Sequence, residues 1–222
     1  QINIVKYYMK SRQDKKLKHA LQSEILAIQR YISEIRQIDG KRADDVRMRI
    51  MTREAHAAKH YWKCVKILLK GKVDFAGRNH RLKDPVNMML NYGYGILGSR
   101  VIGAIIRAGL EPFAGSIHVD RSGRPSLQLD FMEMYRQPVV DRVVISLLTR
   151  GFQPKTEKLE DESEFLSKRT RRVLGDAIKK RLEGRQDYRG KNFMLKTIMQ
   201  LQARALASFF KEGSTGSTSF TG

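Results

Sequence analysis

The sequence predicts an all-α fold with at most a short hairpin near residues 116–129, and three observations carry that expectation. Apolar residues recur at spacings of three and four along most of the chain, the mark of amphipathic helices. Helix-boundary residues, Asp39-Gly40, Gly71, Pro85, Pro138 and Gly151, punctuate those stretches. Apolar–polar alternation, the mark of a half-buried strand, is weak and confined to one segment.

Leu17, Leu21, Ile25, Ile28, Ile32 and Ile35 form the first clear stripe, which ends near Asp39-Gly40. A second helix is expected from about Ala43 to Leu69, with the stripe Val46, Ile50, Ala57, Tyr61, Val65 and Leu68. Asp44 and Asp45 sit near the positive end of its dipole. One slot of that stripe lacks apolar character, and Glu54 is read as filling it. A basic loop through Arg78, Asn79, His80, Arg81 and Lys83 leads to Pro85, which suits the first turn of a third, nearly all-apolar helix. The glycines of that helix allow close packing.

From Ser116 to Leu129 the chain alternates weakly about Ser122-Gly123, so a short hairpin or an ordered loop is expected, with helix resuming at Asp130. Pro138 is expected to open a further helix that carries Val139, Val140, Val143, Val144, Leu147 and Leu148 towards Gly151. The acidic stretch Glu157 to Glu164 reads as a solvated loop or a helix start. Two more helices, about Phe165–Leu182 and Asn192–Phe210, flank a basic linker, and the Ser/Thr/Gly-rich residues 213–222 form an expected flexible tail.

With 222 residues and 41% hydrophobic content, the chain can bury one good core or two small ones. Forty-three lysines and arginines against 23 acids give a net charge of +20, which suits a polyanionic partner. A membrane-surface helix would segregate its cations opposite an apolar face, whereas here they spread along the whole length, so nucleic acid is favoured and no membrane is expected. The most apolar run, Val86 to Ile106, is broken by Asn87, Asn91, Arg100 and four glycines and reads as a buried helix. The single cysteine, Cys64, suits a reducing compartment, and with no signal-peptide pattern a cytoplasmic setting is expected.

Glu54 on an inward stripe must be paired, protonated or bound to metal, because an isolated buried charge costs several kcal/mol. A buried salt bridge with an arginine and a ligand role both satisfy that requirement. His118 is followed by Asp130 and Glu133, which stand three apart and share a helix face. One imidazole with two or three carboxylates makes a hard site suited to Mn²⁺ or Mg²⁺; a solvated helix face is the alternative. His56 and His60 lack the order of a zinc helix and read as surface or DNA-facing residues. A single cysteine excludes a cysteine-based zinc site.

Three stretches together resemble a known family. Arg53-Glu-Ala-His-Ala-Ala-Lys-His-Tyr-Trp62 is similar to the first acidic motif of the CRISPR-associated integrases, the near-universal Cas-one family. Phe75-Ala-Gly-Arg-Asn79, Asp84-Pro-Val-Asn87 and Leu90-Asn-Tyr-Gly-Tyr94 resemble its middle block. Gly109-Leu-Glu-Pro112, Gly115-Ser-Ile-His118, Pro125-Ser-Leu127, Asp130-Phe-Met-Glu133 with Arg136, and Val139-Val-Asp-Arg142 resemble its histidine and second acidic motifs.

The resemblance implies a Mn²⁺ or Mg²⁺ ion held by Glu54, His118 and Asp130, with Glu133 as an additional acid. It implies DNA endonuclease and integrase activity in CRISPR spacer acquisition, joining DNA 3′-hydroxyl ends to target phosphodiesters. Casposases, transposon integrases with the same helical module, are the close variant, and a non-catalytic nucleic-acid-binding module is the alternative of a different class. Arg53, Lys59, Arg78 and Lys83, and Arg169, Arg172 and Lys180 on the C-terminal helices, are the expected DNA contacts. The expected organisation is a helical domain over 1–212, with entry helices at 1–42, a catalytic core at 43–150 and basic helices at 151–212. Family members carry an N-terminal β domain that builds a homodimer, and a Cas-two partner; this sequence opens at the helical part, so that domain is expected to be absent from it.

Overall fold

Apolar stripes at helical spacing become helices only where a partner covers them, and this chain supplies partners in two places. The computed structural model describes residues 1–10, 14–40, 43–113, 125–158 and 164–212. These divide into two compact units, Gln1–Met88 with Val144–Pro154 and Met89–Val143 with Lys155–Gly222.

The first unit is built on α1 (Ile2–Lys10), α2 (Lys15–Arg36) and α3 (Ala43–Leu69). The Asp14 carboxylate caps α2 by accepting from the Lys16 and Leu17 amides at 2.9 and 3.2 Å. Helices α2 and α3 pack along one another, and α1 covers both. Leu21, Ile25 and Ile28 of α2 and Tyr61, Val65 and Leu68 of α3 are almost wholly buried, each stabilising the pair by about 2 kcal/mol. Polar side chains fasten the same helices: His60 Nδ1 lies 2.5 Å from Glu24 Oε2, and the Tyr31 ring stacks on His56 at 5.4 Å. Burial first, and then the charge of Glu24, push the Cys64 thiol up to about 12.

The loop after α3 closes on Asn87, whose side chain is fully buried. Its carbonyl oxygen accepts from Arg78 Nη1 at 2.9 Å and from the Asn79 amide at 3.0 Å. Its amide group donates to the Gly77 carbonyl at 2.9 Å and to Asp84 Oδ2 at 2.6 Å. A buried amide with every bond made holds the loop to the start of α4 (Pro85–Arg107).

The second unit is organised by the remainder of α4. At Gly93 a β-carbon would come within 2.5 Å of Val140 Cγ1, so glycine is what permits this approach. Gly109, at φ +76°, ends the helix: its amide donates to Ile106 and that of Leu110 to Ile105, closing a Schellman motif. The Pro112 carbonyl then accepts from the Leu127 and Gln128 amides and so caps α5 (Ser126–Tyr135). Residues 126–129 are therefore the first turn of α5 and not a strand, and helix begins four residues before Asp130. The rest of the expected hairpin, residues 114–124, lies outside the described residues.

Pro138 does not open a new helix. It sits within a π-helical segment, Arg136–Asp141, that joins α5 to α6 (Arg142–Thr149). There the Arg142 amide reaches back five residues to the Gln137 carbonyl, a wide turn that absorbs the missing proline N–H. Among the described residues two hairpins form, both C-terminal to the expected segment. Strand β1 (Thr156–Lys158) pairs antiparallel with β2 (Glu164–Leu166), taking up the ends of the acidic stretch. Strand β3 (Arg185–Tyr188) pairs with β4 (Lys191–Met194) inside the expected linker. Arg189 and Gly190 make its two-residue turn at φ 55° and 75°, as such a turn demands.

Helix α7 (Lys168–Glu183) starts at the Ser167 cap, three residues later than the periodicity suggests, and packs on α8 (Leu195–Glu212). Among the described residues no helix is long and apolar enough to cross a membrane. We expect Asn87→Ala to destabilise the protein by about 2 to 3 kcal/mol in urea unfolding, because it strands buried donors and acceptors. A loss under about 0.5 kcal/mol would show that the loop is held by other means.

Candidate metal and nucleic-acid site

Helix α3 presents Glu54 to solvent, not to the core. The covered line of α3 runs Val46, Ile50, Arg53, Ala57 and Tyr61, so the slot between Ile50 and Ala57 falls to Arg53. Arg53 is half-buried, with Nε 3.7 Å from Glu34 Oε2 of α2. The expectation of an inward Glu54 thus fails by one position, and with it the argument from burial cost. What stands in its place is an exposed carboxylate with no partner among the described residues. Lys59 is exposed on the same helix. His56, expected at the surface, is exposed there and stacks on the Tyr31 ring of α2, whereas His60, expected likewise, is half-buried and pairs with Glu24 of α2.

Asp130 and Glu133 come together on α5, both half-buried. Glu133 Oε1 accepts from Arg136 Nη1 at 2.6 Å. The Arg136 guanidinium lies over the Tyr94 ring, 5.2 Å from its centroid, and the Tyr94 hydroxyl donates to Asp141 Oδ1 at 2.6 Å. Asp141 is 1% exposed. The wide turn therefore carries Arg136 at its start and Asp141 at its end, and both contact Tyr94 of α4. Sequence reasoning places these three residues within motifs and assigns them no role; the Glu133–Arg136 spacing of three is the available signal.

His118 lies outside the described residues. Glu54 belongs to the first unit and Asp130 and Glu133 to the second. Among the described residues no group of three His, Cys, Asp or Glu side chains could hold a metal ion.

The cations sort by what they touch. Arg78 is committed in part to Asn87, whereas Lys83 is exposed. On α7 the buried face is Thr170, Leu174, Ile178 and Leu182, with Val173 and Ala177 at its edges. Arg169, Arg172 and Lys180 stand exposed opposite. Arg171 pairs with Glu157 at 3.1 Å. Arg181 donates from Nε to the Pro138 carbonyl at 2.8 Å; burial, and then the Arg142 charge, lower its pKa. Tyr135 donates to the buried Gln202, and its hydroxyl is shifted upward by burial and then by Tyr188.

Residues 1–180 match the family described as CRISPR associated protein Cas1. The chain belongs to the Cas1 family. The match spans Glu54, His118, Asp130 and Glu133. A relative from Archaeoglobus fulgidus, CRISPR-associated endonuclease Cas1 1, is 38% identical over 188 residues, covering 81% of this chain and 54% of the relative. The chain spans about half the length of the curated relatives it matches. Among solved structures, a casposase bound to integration product superposes with a TM-score of 0.68 at 22% identity, over 94% of this chain and 67% of that one. A partial Cas6-RT-Cas1–Cas2 complex superposes with a TM-score of 0.74 at 22% identity, over 96% of this chain and 63% of that one. These two likenesses are of the Cas1 helical fold.

Replacing Arg169, Arg172 or Lys180 with glutamine should alter unfolding free energy by under about 0.5 kcal/mol each. Arg181→Gln should cost about 1 to 3 kcal/mol by stranding the Pro138 carbonyl. Equal effects in urea unfolding would show that the two classes of cation are not distinct.

Proposed function

We propose that this chain carries the phosphodiester chemistry of a Cas1 endonuclease and integrase in CRISPR spacer acquisition. The observation behind this reading is the family match through residue 180, which takes in all four expected site residues beside a 38% identical relative named an endonuclease. Casposase chemistry is the same, but likeness to that protein is one of fold at 22% identity.

Glu54, His118 and Asp130 would hold Mn²⁺ or Mg²⁺, with Glu133 as the additional acid. The donor set suits a hard cation: Glu54 is an exposed carboxylate without a partner among the described residues, and Asp130 offers a second, half-exposed oxygen donor. When bound, the ion polarises the scissile phosphate and stabilises the charge that gathers on its oxygens. Arg136, braced on Tyr94, fixes the rotamer of Glu133 beside Asp130. In joining, a 3′-hydroxyl oxygen bonds to the target phosphorus as the target's own 3′-oxygen leaves, so one phosphodiester forms for each one broken. With water as nucleophile the same displacement is cleavage.

Arg169, Arg172 and Lys180, with Lys59 and Lys83, supply exposed cations for phosphates, contacts that position DNA without reading its sequence. Assembly with a Cas2-type partner belongs to the same proposal, supported by the Cas1–Cas2 complex of similar fold; homodimerisation of the whole protein is proposed with it on the family resemblance alone.

Glu54→Ala, His118→Ala and Asp130→Ala should each slow cleavage and joining of branched DNA by about a hundredfold or more, leaving affinity within about twofold. EDTA should abolish both reactions. Activity that survives EDTA, or any variant of near-wild-type rate in Mn²⁺, would overturn the assignment. The triple Arg169, Arg172, Lys180→Gln variant should flatten the dependence of log affinity on log salt by about 0.9 for each phosphate it no longer neutralises; an unchanged slope would move the DNA track elsewhere.

A further inference from the structure

We propose that the groove walled by α4, α7 and α8 in the second unit docks an acidic amphipathic segment of a partner protein. The groove encloses about 750 Å³. Its rim carries Arg100 and Arg107 from α4, Lys179 from α7, and Lys196 and Arg204 from α8, all exposed. Glu183 is the acid among the groove's lining residues, and it already lies 3.9 Å from Lys196. Arg100, Lys179 and Arg204 meet no carboxylate among the described residues. Such a rim attracts carboxylates or phosphates alike.

The floor separates the two. Ile96, Met199 and Leu201 line it, and no aromatic ring does. Single nucleic-acid strands gain affinity by stacking bases on aromatic side chains, whereas an aliphatic floor under a cationic rim complements a helix with leucines on one face and carboxylates on the other.

Gly175 adds an independent observation. It lies in the interior of α7 and lines the groove. Glycine there weakens the helix relative to alanine. Its φ is not in the left-handed region, and a β-carbon built on it meets nothing within 4 Å. Neither backbone conformation nor internal packing requires glycine at this position. The room it leaves opens into the groove, where it admits the close approach of a backbone from outside the chain.

The proposal is independent of the phosphodiester chemistry, and it is tested on the full chain. The probe is a fluorescein-labelled peptide of about five helical turns, with leucines on one face and glutamates on the other. A scramble of the same composition and a single-stranded oligonucleotide of similar length are the comparisons. Fluorescence anisotropy reports affinity, and the ¹³C-methyl signal of Met199, assigned with Met199→Leu, reports occupation of the floor. The peptide should bind at least about tenfold more tightly than its scramble and shift the Met199 methyl. Gly175→Met should weaken binding at least about tenfold with no fall in Tm, because its side chain enters open space and glycine is the poorer helix former. Arg100→Glu with Arg204→Glu should weaken binding similarly, while Arg150→Glu in the other unit changes it less than about twofold. Equal binding of peptide and scramble would overturn the proposal as unspecific charge attraction. So would unchanged affinity in Gly175→Met, or an oligonucleotide that displaces the peptide and itself shifts the Met199 methyl.

Discussion

Burying the Asp141 carboxylate obliges the second unit to bring a donor to it, and Tyr94 of α4 provides one. Much of the arrangement around α5 depends on that bond. Tyr94 is thereby held with its ring under Arg136, and Arg136 is held against Glu133, the acid beside Asp130. Both Arg136 and Asp141 reach α4 because the chain between them makes a wide turn and not an ordinary helical one. Proline at 138, which cannot donate to an α-helical ladder, is compatible with the π-segment and interrupts neither helix that flanks it.

The same economy of partners governs the charges. A net charge of +20 suggests a uniformly basic surface, yet the arginines differ in what they do. Arg78 and Arg181 satisfy buried or half-buried backbone and amide acceptors, and Arg171 pairs with Glu157. Arg78 and Arg181 are thereby part of the fold, whereas the Arg171–Glu157 pair is largely exposed and contributes little. Arg169, Arg172 and Lys180 are exposed on one helix, and Arg100, Lys179 and Arg204 gather at a groove with an aliphatic floor. The proposed phosphate contacts and the proposed docking groove therefore draw on different exposed cations.

Most of the helical architecture was legible in the sequence, since α2, α3 and α4 follow from apolar spacing and from Pro85 and Asp39-Gly40 at their boundaries. The hairpins were not legible. Strands of three or four residues carry too little alternation to register, and β3–β4 lies in a charged segment where only Gln186 and Tyr188 of β3 turn partly inward. Residues 126–129 alternate like a strand, but their leading amides are taken by the Pro112 carbonyl, a contact between segments distant in sequence. The candidate site was legible in its composition and not in its disposition. A carboxylate in a basic helix and a pair of acids three apart are visible as letters, whereas the exposure of Glu54 depends on which side of α3 meets α2.

The sequence by itself determined the all-α class, the helix boundaries at Asp39-Gly40, Gly71, Pro85 and Gly151, the excess of positive charge and the motifs that place the chain in the Cas1 family. Those follow from local propensity, periodicity and composition, which need no partner. Tertiary structure alone decided that Arg53 and not Glu54 takes the inward slot and that His60 binds Glu24. It also decided that Arg136 sits between Tyr94 and Glu133, and that Gly175 faces open space. The physical reason is common to all four: helical period leaves about one residue of freedom in where a face points, and only the neighbour that covers the face removes it.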